Sequence, residues 1–229
     1  MYGKDFNITK GRKKRMKKSL MVVVVLLLAV GMTNAQIADT KHDLSTSSGS
    51  GGAVASSETG TCIFCHTPHT TNGADLLWNK GTGTIASYNT VALAATAGSS
   101  GEGSTACMSC HDGATAIGVI LNGSGSGTGT TTIPITDGGN VTSGIIASGM
   151  PDMTTDLSGD HPVGILYSES IAADASGFVA SATVTSGGLK LTGGKVECNS
   201  CHDPHDNTNG TFLRKSNAGS ALCISCHSK

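Results

Sequence analysis

A chain of 229 residues with 32 glycines, 3 % aromatic and 14 % charged residues has little with which to build an ordinary globular core. Small polar side chains bury too little apolar surface to offset the ordering of the backbone, so either the chain stays unfolded or something other than amino acid supplies its interior. The formal charge of −1 hides an asymmetry: eight of the 15 Lys and Arg fall in the first 35 residues beside one acid, Asp5, leaving 7 basic and 15 acidic residues and a charge of −8 on the remainder. An acidic chain repels nucleic acid and anionic lipid heads, which excludes both as partners.

In chain order, the first feature is a basic stretch, Gly11 to Lys18, followed by an apolar run of 13 residues, Leu20 to Met32, and a small residue, Ala35. This pattern predicts a secretory signal over residues 1–35, and a start at Met16 would give it an ordinary length. The apolar run is shorter than the roughly 20 residues a membrane helix needs, so no stable membrane span is expected.

Residues 36–229 then hold eight cysteines, all in four copies of Cys-x-x-Cys-His: Cys62/Cys65/His66, Cys107/Cys110/His111, Cys198/Cys201/His202 and Cys223/Cys226/His227. Two thiols at this spacing can add to the two vinyl groups of one haem, and the next residue sets an imidazole under the iron. A disulfide framework would not require a His after every second cysteine. A structural zinc site is satisfied by four ligands and has no use for a fifth recurring residue. The motifs therefore predict four haem c groups, with His66, His111, His202 and His227 as proximal ligands.

Four further histidines, His42, His69, His161 and His205, match the four remaining iron faces. Methionine competes poorly for them: beyond the signal only Met108, Met150 and Met153 remain, and Met108 lies inside a motif. Bis-histidine ligation is expected at every iron, at potentials below those of His/Met cytochromes. No open iron position is expected and no catalytic motif is present, so the chain reads as an electron-transfer protein rather than an enzyme.

The chain also repeats itself. Cys-Ile-Phe-Cys-His-Thr-Pro-His at 62–69 corresponds to Cys-Asn-Ser-Cys-His-Asp-Pro-His at 198–205, and each is soon followed by Thr-Asn-Gly and then by a plain Cys-x-x-Cys-His. One free His precedes each half, His42 and His161. This predicts a single tetrahaem domain over 36–229 made of two dihaem modules, about 36–116 and 151–229. A Gly/Ser/Thr-rich connector, clearest over 121–132, joins them. Because Pro68 and Pro204 bar helical continuation, His69 and His205 are too close to their own motifs to reach the far face of the same iron. Each should serve a neighbouring haem and bring two haems together. Phe64, Leu76, Leu77, Trp78, Phe212 and Leu213 are expected to pack on porphyrin, and Val179–Leu191 to form a small surface hairpin about Ser186-Gly187-Gly188. The fold class is mostly irregular and loop-rich, with short helices and a small β-hairpin, the haem stack acting as core.

The segments Thr40-Lys41-His42-Asp43-Leu44-Ser45, Cys-x-x-Cys-His-Thr-Pro-His with Leu77-Trp78-Asn79, and Asp160-His161-Pro162-Val163-Gly164 resemble the doubled Cys-x-x-Cys-His multihaem cytochromes. Among these the chain is most similar to the tetrahaem cytochromes that polymerise into extracellular electron-conducting filaments in metal-reducing bacteria. The resemblance implies a head-to-tail homo-polymer at the cell surface or beyond it, with redox partner cytochromes or extracellular acceptors. It also implies that a distal His can come from an adjacent subunit, for which His42, on an N-terminal arm without obvious packing, is the candidate. A monomeric periplasmic shuttle and a membrane-anchored tetrahaem quinol dehydrogenase are the alternatives.

Overall fold

Four cysteine-histidine motifs in a glycine-rich chain should yield local turns rather than long elements, and the structure is built that way. The structure, a computed structural model, describes residues 37–68, 77–81, 83, 87–88, 102–123, 129–149 and 152–228. The signal segment, His69 and Leu76 lie outside the described residues, as does the centre of the connector, 124–128.

Each motif forms one helical turn, because two thiols three residues apart share a face only when the backbone turns between them. Cys62–Phe64 and Cys223–Ser225 are 3-10 turns, and helix α4 is the single turn Cys198–Cys201. In each the amide of the motif His donates to the carbonyl of the first Cys, at 2.8 Å for His66, 3.1 Å for His202 and 3.0 Å for His227. The second motif instead closes a longer helix, α1, Glu102–His111. The other two helices are α2, Tyr167–Ala173, and α3, Ser181–Ser186.

The described strands are two residues long and occur in five pairs. Isolated pairs of this size are marginal in water; here they tie distant stretches together. Val54–Ala55 pairs antiparallel with Ile135–Thr136, Val119–Ile120 with Thr131–Thr132, and Ile165–Leu166 with Lys195–Val196. The backbone of Ser87–Tyr88 runs parallel to Asp156–Leu157. Apolar burial is correspondingly divided into four small clusters of three or four buried residues. Ala55, Phe64, Ile120 and Ile133 form one, and Ala53, Ile117 and Ile146 another. Residues 117–123 and 129–146, between the two motif-bearing halves, are therefore folded onto the first half. Phe64, fully buried, points into this protein cluster.

Two expectations need correction. Val179–Leu191 is not a hairpin, since Ser181–Ser186 is helical. A helical turn directs Val184 inward to join Tyr167 and Leu189, and the glycines that looked like a β-turn end the helix, the Gly187 amide returning to the carbonyls of Thr183 and Thr185. A hairpin occurs instead at Val141–Ile146, where Ser143 (φ 53°) and Gly144 (φ 73°) supply the two left-handed residues that a tight hairpin turn needs. The N-terminal arm is also packed. Asp43 and Ser45 are buried, and the Asp43 carboxylate accepts from the Asp39 amide (3.0 Å), the Ser45 amide and hydroxyl (3.1 and 2.6 Å) and the Thr61 hydroxyl (3.3 Å). Among the described residues no helix is long and apolar enough to cross a membrane.

Candidate haem centres

The sequence duplication extends into backbone geometry. After the first motif, the Thr67 amide donates to the Leu77 carbonyl and the Asn79 amide to the Cys65 carbonyl; after the third, Asp203 donates to Phe212 and Arg214 to Cys201. Bridges between His66 and Trp78, and between His202 and Leu213, close the same loop twice. Leu77 (φ 52°) and Phe212 (φ 56°) occupy equivalent places, both left-handed, a conformation that costs a bulky residue of order 1–3 kcal/mol. Such strain persists only where the surroundings over-determine it, and here it falls beside His66 and His202.

Side chains that counting motifs did not single out lock these loops. The Asn79 amide group donates to the carbonyl of Ile63, inside the first motif, at 2.7 Å and to that of Asn122 at 3.0 Å. Its oxygen accepts from the Asn122 amide at 2.9 Å. Arg214 does the equivalent work in the third motif, donating from Nε to the carbonyl of Asn199 at 2.8 Å and from a terminal nitrogen to Asp203 at 2.9 Å. The offset of the sequence repeat would set Asn79 against Lys215, and only the backbone register of the two loops sets it against Arg214. In the fourth motif, the buried Tyr167 hydroxyl bridges the carbonyls of Val179 (2.8 Å) and Cys226 (2.9 Å). Glu197, buried just before the third motif, caps its turn and bonds the Ser104 hydroxyl of α1, which in turn accepts from the Cys198 amide at 3.0 Å.

Six of the eight motif thiols are partly buried, and Cys62 and Cys223 are exposed. Burial pushes Cys65 up to about 12 and Cys201 to about 11, and also raises Cys110 and Cys226. The Cys107 thiol donates to the Gly103 carbonyl at 3.1 Å, and its interaction with the neighbouring Cys198 thiol of another motif raises Cys107 and lowers Cys198. The buried Lys80 ammonium donates to the carbonyls of Ile117 (2.7 Å) and Val119 (2.9 Å) and lies against the Cys110 thiol. None of the eight cysteines is in a disulfide.

The imidazoles are arranged in pairs. His66 faces His205 with ring centroids 5.9 Å apart, His42 faces His111 at 6.2 Å, and His161 faces His227 at 6.4 Å. Burial and the neighbouring imidazole of His111 lower His42 to about 4, which keeps its ring neutral and able to bind a metal. His202 and His161 each direct Nδ1 at a backbone carbonyl, that of Thr211 and of Pro162, both at 3.0 Å. An imidazole held this way leaves Nε2 as the ligand atom. Trp78 packs edge-on against His66 and donates to the Ser109 hydroxyl at 3.2 Å, while Phe212 stacks on His42 at 4.1 Å.

These residues fit haem c. Two trans metal–imidazole bonds of about 2 Å, with each ring nitrogen roughly 1 Å from its ring centre, put the centroids of two axial ligands about 6 Å apart. The three observed separations bracket that value, and every pair joins one motif histidine to one free histidine.

No curated protein matches the chain. Residues 191–229, which hold the third and fourth motifs, match the family model for the doubled CXXCH motif. That motif is the one multihaem c-type cytochromes carry, and it indicates covalently bound haem c and a role in electron transfer.

Proposed function

We propose that the chain binds four haem c groups, each iron closed on both faces by imidazole, and serves as an electron-transfer protein outside the cytoplasm. The observation that supports this best is the set of three imidazole pairs at 5.9–6.4 Å, each matching one motif histidine to one free histidine. The eight motif cysteines would bond the haems, with His66, His111, His202 and His227 proximal and His42, His69, His161 and His205 distal. Haem supplies a one-electron couple. The chain's own residues then hold imidazoles on both faces, so that no substrate reaches iron, and partly bury six of the eight motif cysteines, Cys62 and Cys223 staying exposed. Small clusters of protein apolar side chains suffice because porphyrin fills the rest of the interior.

The finer reading, an exported head-to-tail homo-polymer that passes electrons to partner cytochromes or extracellular acceptors, rests on the resemblance of the motif segments to the filament-forming tetrahaem cytochromes. A charge of −8 beyond residue 35 suits a protein that avoids anionic lipid and nucleic acid. Intact mass and the ferric spectrum test the cofactor reading: four haem masses above the bare polypeptide and low-spin iron throughout are expected. Fewer haems, or predominantly high-spin iron, would overturn it. Negative-stain microscopy separates filaments from a monomeric shuttle.

A further inference from the structure

We infer that the iron of the haem that Cys62 and Cys65 would attach and His66 would ligate takes its sixth ligand, His205, from the opposite half of the chain. The short segment from Cys198 to His205 then holds two haems and joins the halves into one redox unit. The inference rests on the bis-histidine reading and adds to it a specific pairing.

Geometry carries it. The His205 ring lies 5.9 Å from that of His66, whereas His202, three residues before His205, is turned to the Thr211 carbonyl beyond an intervening proline. Asp203 sets the direction of His205: one of its carboxylate oxygens accepts from the His205 amide at 3.1 Å and lies 3.9 Å from Nδ1, while the other is held by Arg214. The other two observed pairs stay within one half, His42 with His111 and His161 with His227. Of the three observed pairs, that of His66 with His205 alone crosses between the halves. The halves also meet beside the third motif, where the Ser104 hydroxyl of α1 accepts from the Cys198 amide at 3.0 Å and donates to Glu197.

Ring orientation makes the assignment visible. The His66 and His205 planes are 21° apart, whereas those of His42/His111 and His161/His227 are 72° and 69° apart. Near-parallel imidazoles split the two iron dπ orbitals that receive them and give a rhombic low-spin ferric EPR signal. Near-perpendicular imidazoles leave those orbitals almost degenerate and give a strongly anisotropic signal with a large maximum g value. The haem-loaded protein is therefore expected to show at least one rhombic centre and at least two of large maximum g per chain.

His205→Met is the test. The variant should retain every haem by mass, lose one rhombic centre per chain, gain the charge-transfer band of thioether-ligated ferric haem, and keep its large-g intensity. In a Cys62→Ala/Cys65→Ala background, where the first haem is missing, His205→Met should produce no thioether band; in a Cys198→Ala/Cys201→Ala background the band should persist. Loss of a large-g centre instead, or the reverse dependence on background, would overturn the pairing while leaving bis-histidine ligation intact. High-spin iron in the wild type would overturn the ligation reading itself. Should the variants fail to mature, nuclear Overhauser contacts in the wild-type ferric protein decide. His205 ring protons must connect to the haem on Cys62/Cys65, and a connection to the haem on Cys198/Cys201 refutes the pairing.

Discussion

Replacing Asn79 by Ala should weaken the first half of the molecule more than its size suggests. Asn79 is fully buried and makes three hydrogen bonds with its amide, two of them as donor to the Ile63 and Asn122 carbonyls and one as acceptor from the Asn122 amide. Each buried group that loses its partner costs about 1–1.5 kcal/mol at the low end, so three sum to roughly 3–4 kcal/mol. A water admitted to the small polar space left behind recovers part of this, giving a net loss of about 2–4 kcal/mol. For a domain of 150–250 residues that corresponds to a drop in thermal midpoint of about 4–16 °C. The assay is a melt of the haem-loaded protein followed by far-UV circular dichroism and by Soret absorbance, with intact mass confirming unchanged haem content. Since Ile63 lies inside the first motif, the Soret change should begin earlier than in wild type. A midpoint lowered by less than about 2 °C would refute the view that Asn79 clamps the first motif.

Three further outcomes are expected. Lys80→Gln should lower the potential of a haem on the first or second motif: a buried cation disfavours ferric iron, and at about 10 Å with an effective dielectric near 20 it contributes roughly 1.7 kcal/mol, or about 70 mV, so an unmoved redox titration would count against it. Gly83→Ala should sharply reduce the yield of folded protein, because an added Cβ would lie 2.1–2.5 Å from the backbone of Met108 and Ser109, which cannot swing aside; normal expression and melting would show that α1 can shift. The Asp137 carboxylate, accepting from the Ser143 and Gly144 amides at 2.9 and 3.1 Å, is held below its ordinary pKa of 3.8 by those bonds. A lowered carboxylate pKa stabilises the fold above the unfolded value and loses that contribution as pH falls through the folded one. The difference in melting midpoint between wild type and Asp137→Ala should thus be present near neutral pH and shrink in acid, and a difference that grows in acid would contradict the assignment.

The chemistry of this protein was far more legible in its sequence than its fold. Cys-x-x-Cys-His announces itself because two thiols and an imidazole must stand at fixed offsets, whatever surrounds them. The repeat at 62–69 and 198–205 was equally visible, but carried further at the same offset it sets Leu77 against Leu213 and Asn79 against Lys215; the first loop is one residue longer, so the match of Leu77 to Phe212 and Asn79 to Arg214 shows only in the backbone. The connections between elements were hidden. Strands of two residues have no periodicity to detect, so nothing foretold Val54–Ala55 meeting Ile135–Thr136, or the packing of 117–123 and 129–146 on the first half. Val179–Leu191 misled because glycines after a short polar stretch suit both a β-turn and a helix end; burial of Val184 beside Tyr167 decides between them. The arm bearing His42 looked loose because Asp43 and Ser45 are ordinary surface residues by type, and only the Asx-turn network around Asp43 reveals that they are buried.

The same geometry bears on how such a chain assembles. If His42 serves the His111 iron and His205 the His66 iron, both ligands are committed within their own chain, and the arm before Asp43 is not the donor to a neighbouring copy. His42→Ala would then expose one iron inside each chain without by itself undoing contacts between chains. A polymer, if the chain forms one, should survive that substitution with one centre turned high-spin. Loss of filaments with four low-spin centres retained would mean that His42 reaches another chain, and would move the shared iron from within the molecule to the junction between molecules.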